Sequence, residues 1–274
     1  YPTGICGQFA QQYLGLPQEV LITVMKEHQR YFPLWDNQGQ LMARFIAIRN
    51  GGQEHLGVVK AGNERVLEAR LSDARFFFDE DVKEPLEAKV EQLKAVVFQD
   101  ALGTVYQKLL RIKELTSLLS DTLGLSPQAK TAAERAAHLA KADLVSSMVI
   151  EFPELQGIMG YYYALHHNEM KEVATAIKEH YQPRYAEDGL PTTAAATVVA
   201  IADKLDTICG CFAVGIKPSG SGDPYALRRQ ARGICLMVIE GQLDLDLMLL
   251  VEQGLKAYCR QGLDLDEGKT AADL

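Results

Sequence analysis

Positive charge is scarce in this chain: 28 lysines and arginines against 36 aspartates and glutamates leave a formal net charge of −8. That balance excludes a wholesale electrostatic grip on nucleic acid and leaves room only for a locally basic face. No apolar run reaches the ~18 residues of a membrane span, so no membrane partner is expected. The five cysteines, Cys6, Cys209, Cys211, Cys235 and Cys259, are odd in number and follow no disulfide spacing. Cys209-Gly210-Cys211 has no second pair to complete a zinc site, and a reducing cytoplasm is the expected location. The opening Tyr1-Pro2-Thr3 has neither an initiator methionine nor a signal-peptide layout, the expectation for an excised piece. Internal repeats and low-complexity tracts are also lacking. What is present is an ordinary globular composition, 274 residues and 47% hydrophobic, enough for one large core or two moderate ones. Two structural units are expected.

The fold class expected is mainly α, with an α+β region over 1–84, a helical domain over 85–240 and the start of a further helical segment over 241–274. Pro17 to Arg30 places Val20, Leu21, Val24 and Met25 at helical spacing. Tyr31–Trp35 and Leu41–Ile48 flank Asp36-Asn37-Gln38-Gly39, whose residues tolerate the positive φ of a hairpin turn. A helix then begins near Gly62, with Asn63 as its N-cap, and ends at Asp79-Glu80-Asp81. Beyond Pro85 the periodicity is helical throughout: 86–98, 106–123, 126–152, 157–165, 169–181, 192–214 and 223–240. Asp223 is expected to cap the last of these, with Pro224 in its first turn.

Cationic and aromatic residues gather in three places. Lys26-Glu27-His28-Gln29-Arg30-Tyr31-Phe32 has the composition that holds phosphate and stacks a base, although it equally suits the solvated end of an amphipathic helix. Arg65, Arg70 and Arg75 recur every five residues and so spiral around their helix. Arg228, Arg229 and Arg232 follow the loop Lys217 to Pro224, with Arg228 and Arg232 on one face at i, i+4. An RNA-facing edge or salt bridges to acidic neighbours would both account for them. The loop lacks the Gly-Lys-Ser/Thr ending of a nucleotide P-loop. The candidate RNA contacts are Lys26, His28, Arg30, Arg70, Arg75, Arg228, Arg229 and Arg232.

The helical part resembles an HD-type metal phosphohydrolase that has lost its ligands. Such an enzyme needs a histidine on one helix, an adjacent His-Asp pair on a second and an aspartate on a later one, together holding a cation that activates water. Here the pair reads Ala142-Asp143, and the first histidine falls at about Lys108, an ammonium that cannot ligate a cation while protonated. Asp143 and Asp203 remain of the four, and His180 lies where these proteins often place a further histidine. His138, five residues before Asp143, would lie about 140° away on a helix and cannot replace the missing histidine. No metal is expected; the two aspartates would pair with Lys108, Lys141 or Lys204 instead.

Six motifs taken in order carry a more specific likeness. Lys26 to Phe32, Arg70 to Phe77 (Arg-Leu-Ser-Asp-Ala-Arg-Phe-Phe), Lys141-Ala142-Asp143-Leu144, Glu151-Phe152-Pro153-Glu154-Leu155-Gln156-Gly157, Ala202-Asp203-Lys204-Leu205-Asp206 and Asp223-Pro224-Tyr225-Ala226-Leu227-Arg228-Arg229 resemble the β subunit of bacterial heterotetrameric glycyl-tRNA synthetase. The resemblance covers essentially the whole chain, as a central region of a longer subunit. It implies a tRNA-binding accessory role, with tRNA(Gly) and a catalytic α subunit as partners. The α subunit would carry the class II core that uses glycine and ATP with magnesium; no cofactor is expected in this piece, which would have no catalytic residue and be inactive alone. A metal-dependent phosphohydrolase recruiting Asp143, His180 and Asp203, or a scaffold that binds only the α subunit, are the alternatives.

Overall fold

The computed structural model describes residues 2–220, 222–265 and 267–274. In chain order they form β1 (Pro2–Gln8), α1 (Gln18–Thr23), β2 (Phe32–Trp35), β3 (Leu41–Asn50), α2 (Leu56–Asp81), α3 (Leu86–Val90), β4 (Val97–Gln99), β5 (Gly103–Thr104), α4 (Val105–Thr122) and α5 (Pro127–Leu139). They continue with α6 (Ser147–Glu151), α7 (Ile158–His166), α8 (Lys171–Glu179), α9 (Ala194–Ala213), α10 (Leu227–Glu240), α11 (Leu247–Arg260) and α12 (Glu267–Asp273). The chain is mainly α, with its principal sheet near the N-terminus. Among the described residues no helix is long and apolar enough to cross a membrane. Contacts divide the chain into two units, Tyr1–Glu84 with Ser146–Gln156, and Pro85–Val145 with Gly157–Leu274.

The first unit is built on an antiparallel sheet in the order β1-β3-β2. The β2–β3 hairpin turns on Asp36, whose Oδ1 accepts from the backbone N–H groups of Gln38 and Gln40, with Gly39 at φ +75°. Strand β1 has no counterpart in the sequence reading because Pro2, Gly4 and Gly7 dilute its alternation. Gly7 pairs with Phe45, and a Cβ there would lie 2.3 Å from the Phe45 ring, so the missing side chain is what admits the aromatic. Helix α2 starts at Leu56, ahead of the expected Asn63, which lies inside it. The expected helix over 17–30 turns from α into a π segment at Val24–His28.

The helix expected over 126–152 is broken. Helix α5 stops at Leu139, Ala142–Val145 forms a 3-10 turn, and Ser146 restarts the chain as N-cap of α6 by accepting from the Val149 N–H. Asp81, 2% exposed, accepts from the N–H groups of Ser147 and Met148 at 2.9 Å each. Two N-terminal amides of α6 are thereby satisfied by a carboxylate on the favourable end of the helix dipole. The expected helix over 86–98 is likewise interrupted, and its end forms β4, paired with β5.

In the second unit α9 is the axis, packed by α4, α5, α8, α10 and α11. Sixteen of its twenty residues are buried, which the Ala/Val/Ile run of its first half requires. Residues 241–274 contribute α11 to this packing, with Leu250, Leu255 and Tyr258 buried. Helix α10 begins at Leu227, not at Asp223: Ala226 at φ 52° turns the chain, and Asp223 caps from outside by accepting from the N–H groups of Leu227 and Arg228.

Asp81→Ala removes the acceptor for both amides of α6 and is expected to destabilise the protein by about 1–2 kcal/mol in urea denaturation. An unchanged midpoint would show that this carboxylate does not hold the α6 segment.

Candidate functional site

Charged residues have no reason to sit on the buried faces of α4 and α9 unless they meet each other. On α4, Lys108 and Arg111 follow helical spacing i, i+3; on α9, Asp206 and Thr207 follow Asp203 at i+3 and i+4. All five are buried. Lys108 Nζ donates to Thr207 Oγ1 at 2.7 Å, Asp206 Oδ2 at 3.0 Å and the Asp203 carbonyl at 3.1 Å, and lies 3.0 Å from Asp203 Oδ1. Arg111 forks onto the Asp206 carboxylate through Nε at 2.6 Å and Nη2 at 3.3 Å, with its guanidinium 3.8 Å from the centre of the Tyr258 ring. Tyr258 donates to the Asp206 carbonyl at 3.0 Å. Gly210 leaves space for that phenol, since a Cβ there would lie 2.1 Å from the Tyr258 hydroxyl.

The second oxygen of Asp203 faces a different cation. Lys141, in the turn after α5, donates to Asp203 Oδ2 at 2.8 Å and to His180 Nε2 at 2.8 Å. His180 in turn has Nδ1 at 2.7 Å from the Ile177 carbonyl, a pairing that places its proton on Nδ1 and leaves Nε2 as acceptor. Lys204 donates to the His180 carbonyl at 3.1 Å. Electrostatics follow the geometry. Burial alone would raise the Asp203 carboxyl, but Lys108 and Lys141 outweigh it and hold the group well below the ordinary value. Burial would lower Lys108, and Asp203 with Asp206 reverses that and raises it. For Lys141 and His180 burial prevails and both are pushed down, His180 far enough to be neutral at pH 7. Lys204 is lowered to about 8, chiefly by burial.

Asp143 belongs to a separate arrangement. Its Oδ2 accepts from the N–H groups of Gly157 at 2.6 Å and Gly160 at 3.0 Å, at the start of α7. A Cβ at Gly160 would lie 2.6 Å from Ile177 Cγ2 and 3.1 Å from Asp143 Oδ2, so this glycine is what lets the carboxylate approach. Full burial pushes the Asp143 carboxyl up to about 6 against these hydrogen bonds. Ala142 beside it offers no donor atom, and its methyl is buried.

These donors do not fit a divalent cation. Both Asp203 oxygens meet ammonium groups, the His180 Nε2 lone pair accepts from Lys141, and Asp143 is turned to backbone amides. Among the described residues no three His, Cys, Asp or Glu side chains converge as a metal would require. His138 lies on α5 with Nε2 2.8 Å from Glu87, and His166 and His167 close α7. What the cluster does chemically is lock α4, α9 and the turn at Lys141 together through desolvated ion pairs, with His180 after α8 and Tyr258 of α11 joined by hydrogen bonds.

The cationic candidates fall into the two units. In the first, Lys26 is exposed, and the His28 ring packs edge-on to Phe152 with centroids 5.0 Å apart. Arg30, at φ 58°, lies 3.6 Å from Glu27. Arg70 meets Glu151 at 3.1 Å, and Arg75 donates to the Gln12 carbonyl at 3.0 Å and lies 3.8 Å from Asp79. Arg70 and Arg75 thus have carboxylate partners of their own. In the second unit Arg228, Arg229 and Arg232 are exposed on α10. The Arg228 guanidinium donates to the Gly220 carbonyl at 2.7 Å, and among the described residues none of the three guanidiniums meets a carboxylate. They line a cleft of about 290 Å³ together with Pro183, Tyr185 and Leu236.

Sequence reasoning missed Arg111, Asp206 and Tyr258 in the cluster, and Tyr185 beside the arginines. The first two carried a signal, being charges at i, i+3 from Lys108 and Asp203 within apolar helices. Tyr258 and Tyr185 carried none.

Lys108→Met leaves Asp203 and Asp206 short of a buried cation and is expected to cost about 3–5 kcal/mol in denaturant unfolding. A loss below 1 kcal/mol would mean the ammonium is not needed. Asp143 has a folded-state pKa above its unfolded value of 3.8, so its contribution is complete below about pH 4 and is lost as pH rises through about 6. Relative to Asp143→Asn, the native protein should therefore lose up to about 3 kcal/mol between pH 4 and pH 7. A difference that is flat with pH would refute the raised carboxyl.

Comparison with known proteins gives a consistent result. Residues 1–272 match the family described as glycyl-tRNA synthetase beta subunit. A glycine–tRNA ligase beta subunit of Desulforamulus reducens is 53% identical over 267 residues, 97% of this chain and 38% of the relative. That of Clostridioides difficile is 52% identical over 267 residues, with the same two shares. That of Citrifermentans bemidjiense is 56% identical over 240 residues, 88% of this chain and 35% of the relative. The chain spans somewhat more than a third of the length of these relatives, and it belongs to the glycyl-tRNA synthetase beta subunit family.

Proposed function

We propose that this chain is the part of a β subunit that grips tRNA(Gly) and supports a separate α subunit during ATP-dependent glycylation. The relatives are named as beta subunits of glycine–tRNA ligases, which supports a role in glycyl-tRNA synthesis. The catalytic α subunit would hold glycine, ATP and magnesium; this chain would supply no catalytic group and would not glycylate tRNA alone. A cytoplasmic location goes with that role.

The observation that carries the RNA-binding part is the arginine face of α10. In a chain of net charge −8, three exposed guanidiniums without a carboxylate partner among the described residues form a local positive field. Such a face positions a phosphate backbone without reading its sequence. Lys26 in the first unit is a further candidate, as is Arg30, which stays largely exposed beside Glu27, whereas Arg70, Arg75 and His28 are engaged within their own unit. Around Asp203 the geometry favours an ion-pair core over the hydrolase alternative, because Lys141 already occupies Asp203 Oδ2 and the His180 Nε2 lone pair, Lys108 lies 3.0 Å from Asp203 Oδ1, and Asp143 Oδ2 accepts from backbone amides. An HD-like helical unit would account for why these polar positions converge there.

Charge reversal of Arg228 and Arg229 in the complete β subunit, assembled with α, should weaken tRNA binding and lower the slope of log K against log salt by about 2. Unchanged affinity and slope would remove this face from the contact and favour a scaffold that touches only the α subunit.

A further inference from the structure

The cleft beside α10 has more in it than a basic edge needs. With 3.6 residues per turn, Arg228, Arg229, Arg232 and Leu236 fall within about 100° of arc on α10, so three cations and an apolar side chain share one face. Opposite them lies the turn that carries Tyr185. That turn is pinned by Asp188, which accepts from the N–H groups of Arg184 at 2.7 Å and Gly189 at 3.0 Å, while its own N–H donates to the Tyr185 carbonyl at 3.2 Å. Helix and turn meet at Gly233, where a Cβ would lie 3.2 Å from Pro183 Cδ. The result is a cleft of about 290 Å³ with Pro183, Ala186 and Leu236 as apolar lining, three guanidiniums at its border and a tyrosine that is 57% exposed.

Phosphate alone would not require the aromatic ring or the apolar lining. An apolar peptide would not require three arginines. A nucleotide requires both, since its base seeks a flat or apolar surface and its phosphates seek guanidinium. The volume lies at the bottom of the range for small-molecule sites, about 300 Å³, which suits one base and excludes a duplex. The lining offers no carboxamide and no carboxylate to read a base edge, so stacking there should tolerate any base.

We propose that this cleft receives one unpaired nucleotide of the bound RNA, its base against Tyr185 and its phosphates among Arg228, Arg229 and Arg232. This rests on the RNA-binding reading of α10 and goes further, because backbone contact alone needs no base pocket. The Asp188 turn holds the backbone at Tyr185, so only the ring has to be ordered when the base enters.

The test uses the complete β subunit assembled with its α subunit and measures binding of a tRNA(Gly) transcript and of a single-stranded RNA oligonucleotide across a salt series. Tyr185→Ala should weaken both by about 10-fold with the salt slope unchanged, because a stacking contact is lost and no phosphate contact is. Tyr185→Phe should keep the affinity, and oligonucleotides of the four bases should bind alike. An unchanged affinity for Tyr185→Ala, with the Arg228 and Arg229 reversal still weakening binding, overturns the base site and leaves the backbone contact standing. If the reversal is also without effect, both readings fall. Competition by a free nucleoside monophosphate as effective as that by the oligonucleotide would overturn the assignment to RNA.

Discussion

The second unit depends on the Asp203 carboxylate and the two ammonium groups that share it. A buried carboxylate left alone would cost several kcal/mol, and a buried lysine left alone would cost as much. Lys108 at 3.0 Å and Lys141 at 2.8 Å make each other's burial tolerable only through Asp203, and Asp206 adds the charge that Arg111 needs. Helices α4 and α9 and the turn at Lys141 therefore cannot part without exposing an unpaired charge in an apolar setting. The arrangement specifies which faces of α4 and α9 meet as much as it adds stability, since apolar residues at the same positions would pack with less discrimination.

That constraint reaches the surface through α9 and its neighbours. Lys204, one residue beyond Asp203, runs to the His180 carbonyl, and its stem passes 3.2 Å from where a Cβ on Gly233 would be. Gly233 in turn brings α10 close to Pro183. The polar core thus fixes the distance between α10 and the turn after α8, which is the distance across the arginine cleft.

Much of this was legible in the sequence, for physical reasons that differ by element. The hairpin was readable because Asp36 and Gly39 must be where they are for the turn to close. Lys108, Asp143, His180 and Asp203 stood out because they fall at the ligand positions of an HD-type pattern, although that pattern could not say that Asp143 turns to the amides of α7 while Asp203 turns to lysines. Strand β1 was invisible because Pro2, Gly4 and Gly7 dilute its alternation, and Gly7 serves a ring on another strand. The break after Leu139 was invisible because the alanine-rich run 129–142 favours helix, and the tertiary capping by Asp81 and Ser146 that starts α6 lies outside local pattern. Among the cations, composition could not separate Arg70 and Arg75, which have carboxylates of their own, from Arg228, Arg229 and Arg232, which do not.

The central claim is that ammonium groups, not a metal ion, neutralise the carboxylates at the core of the helical unit. Its most direct test is elemental analysis of the complete β subunit, purified without chelator, alongside thermal unfolding with and without a strong chelator. The account requires substoichiometric metal and an unchanged Tm. One tightly held divalent ion per chain, whose removal lowers Tm, would contradict it.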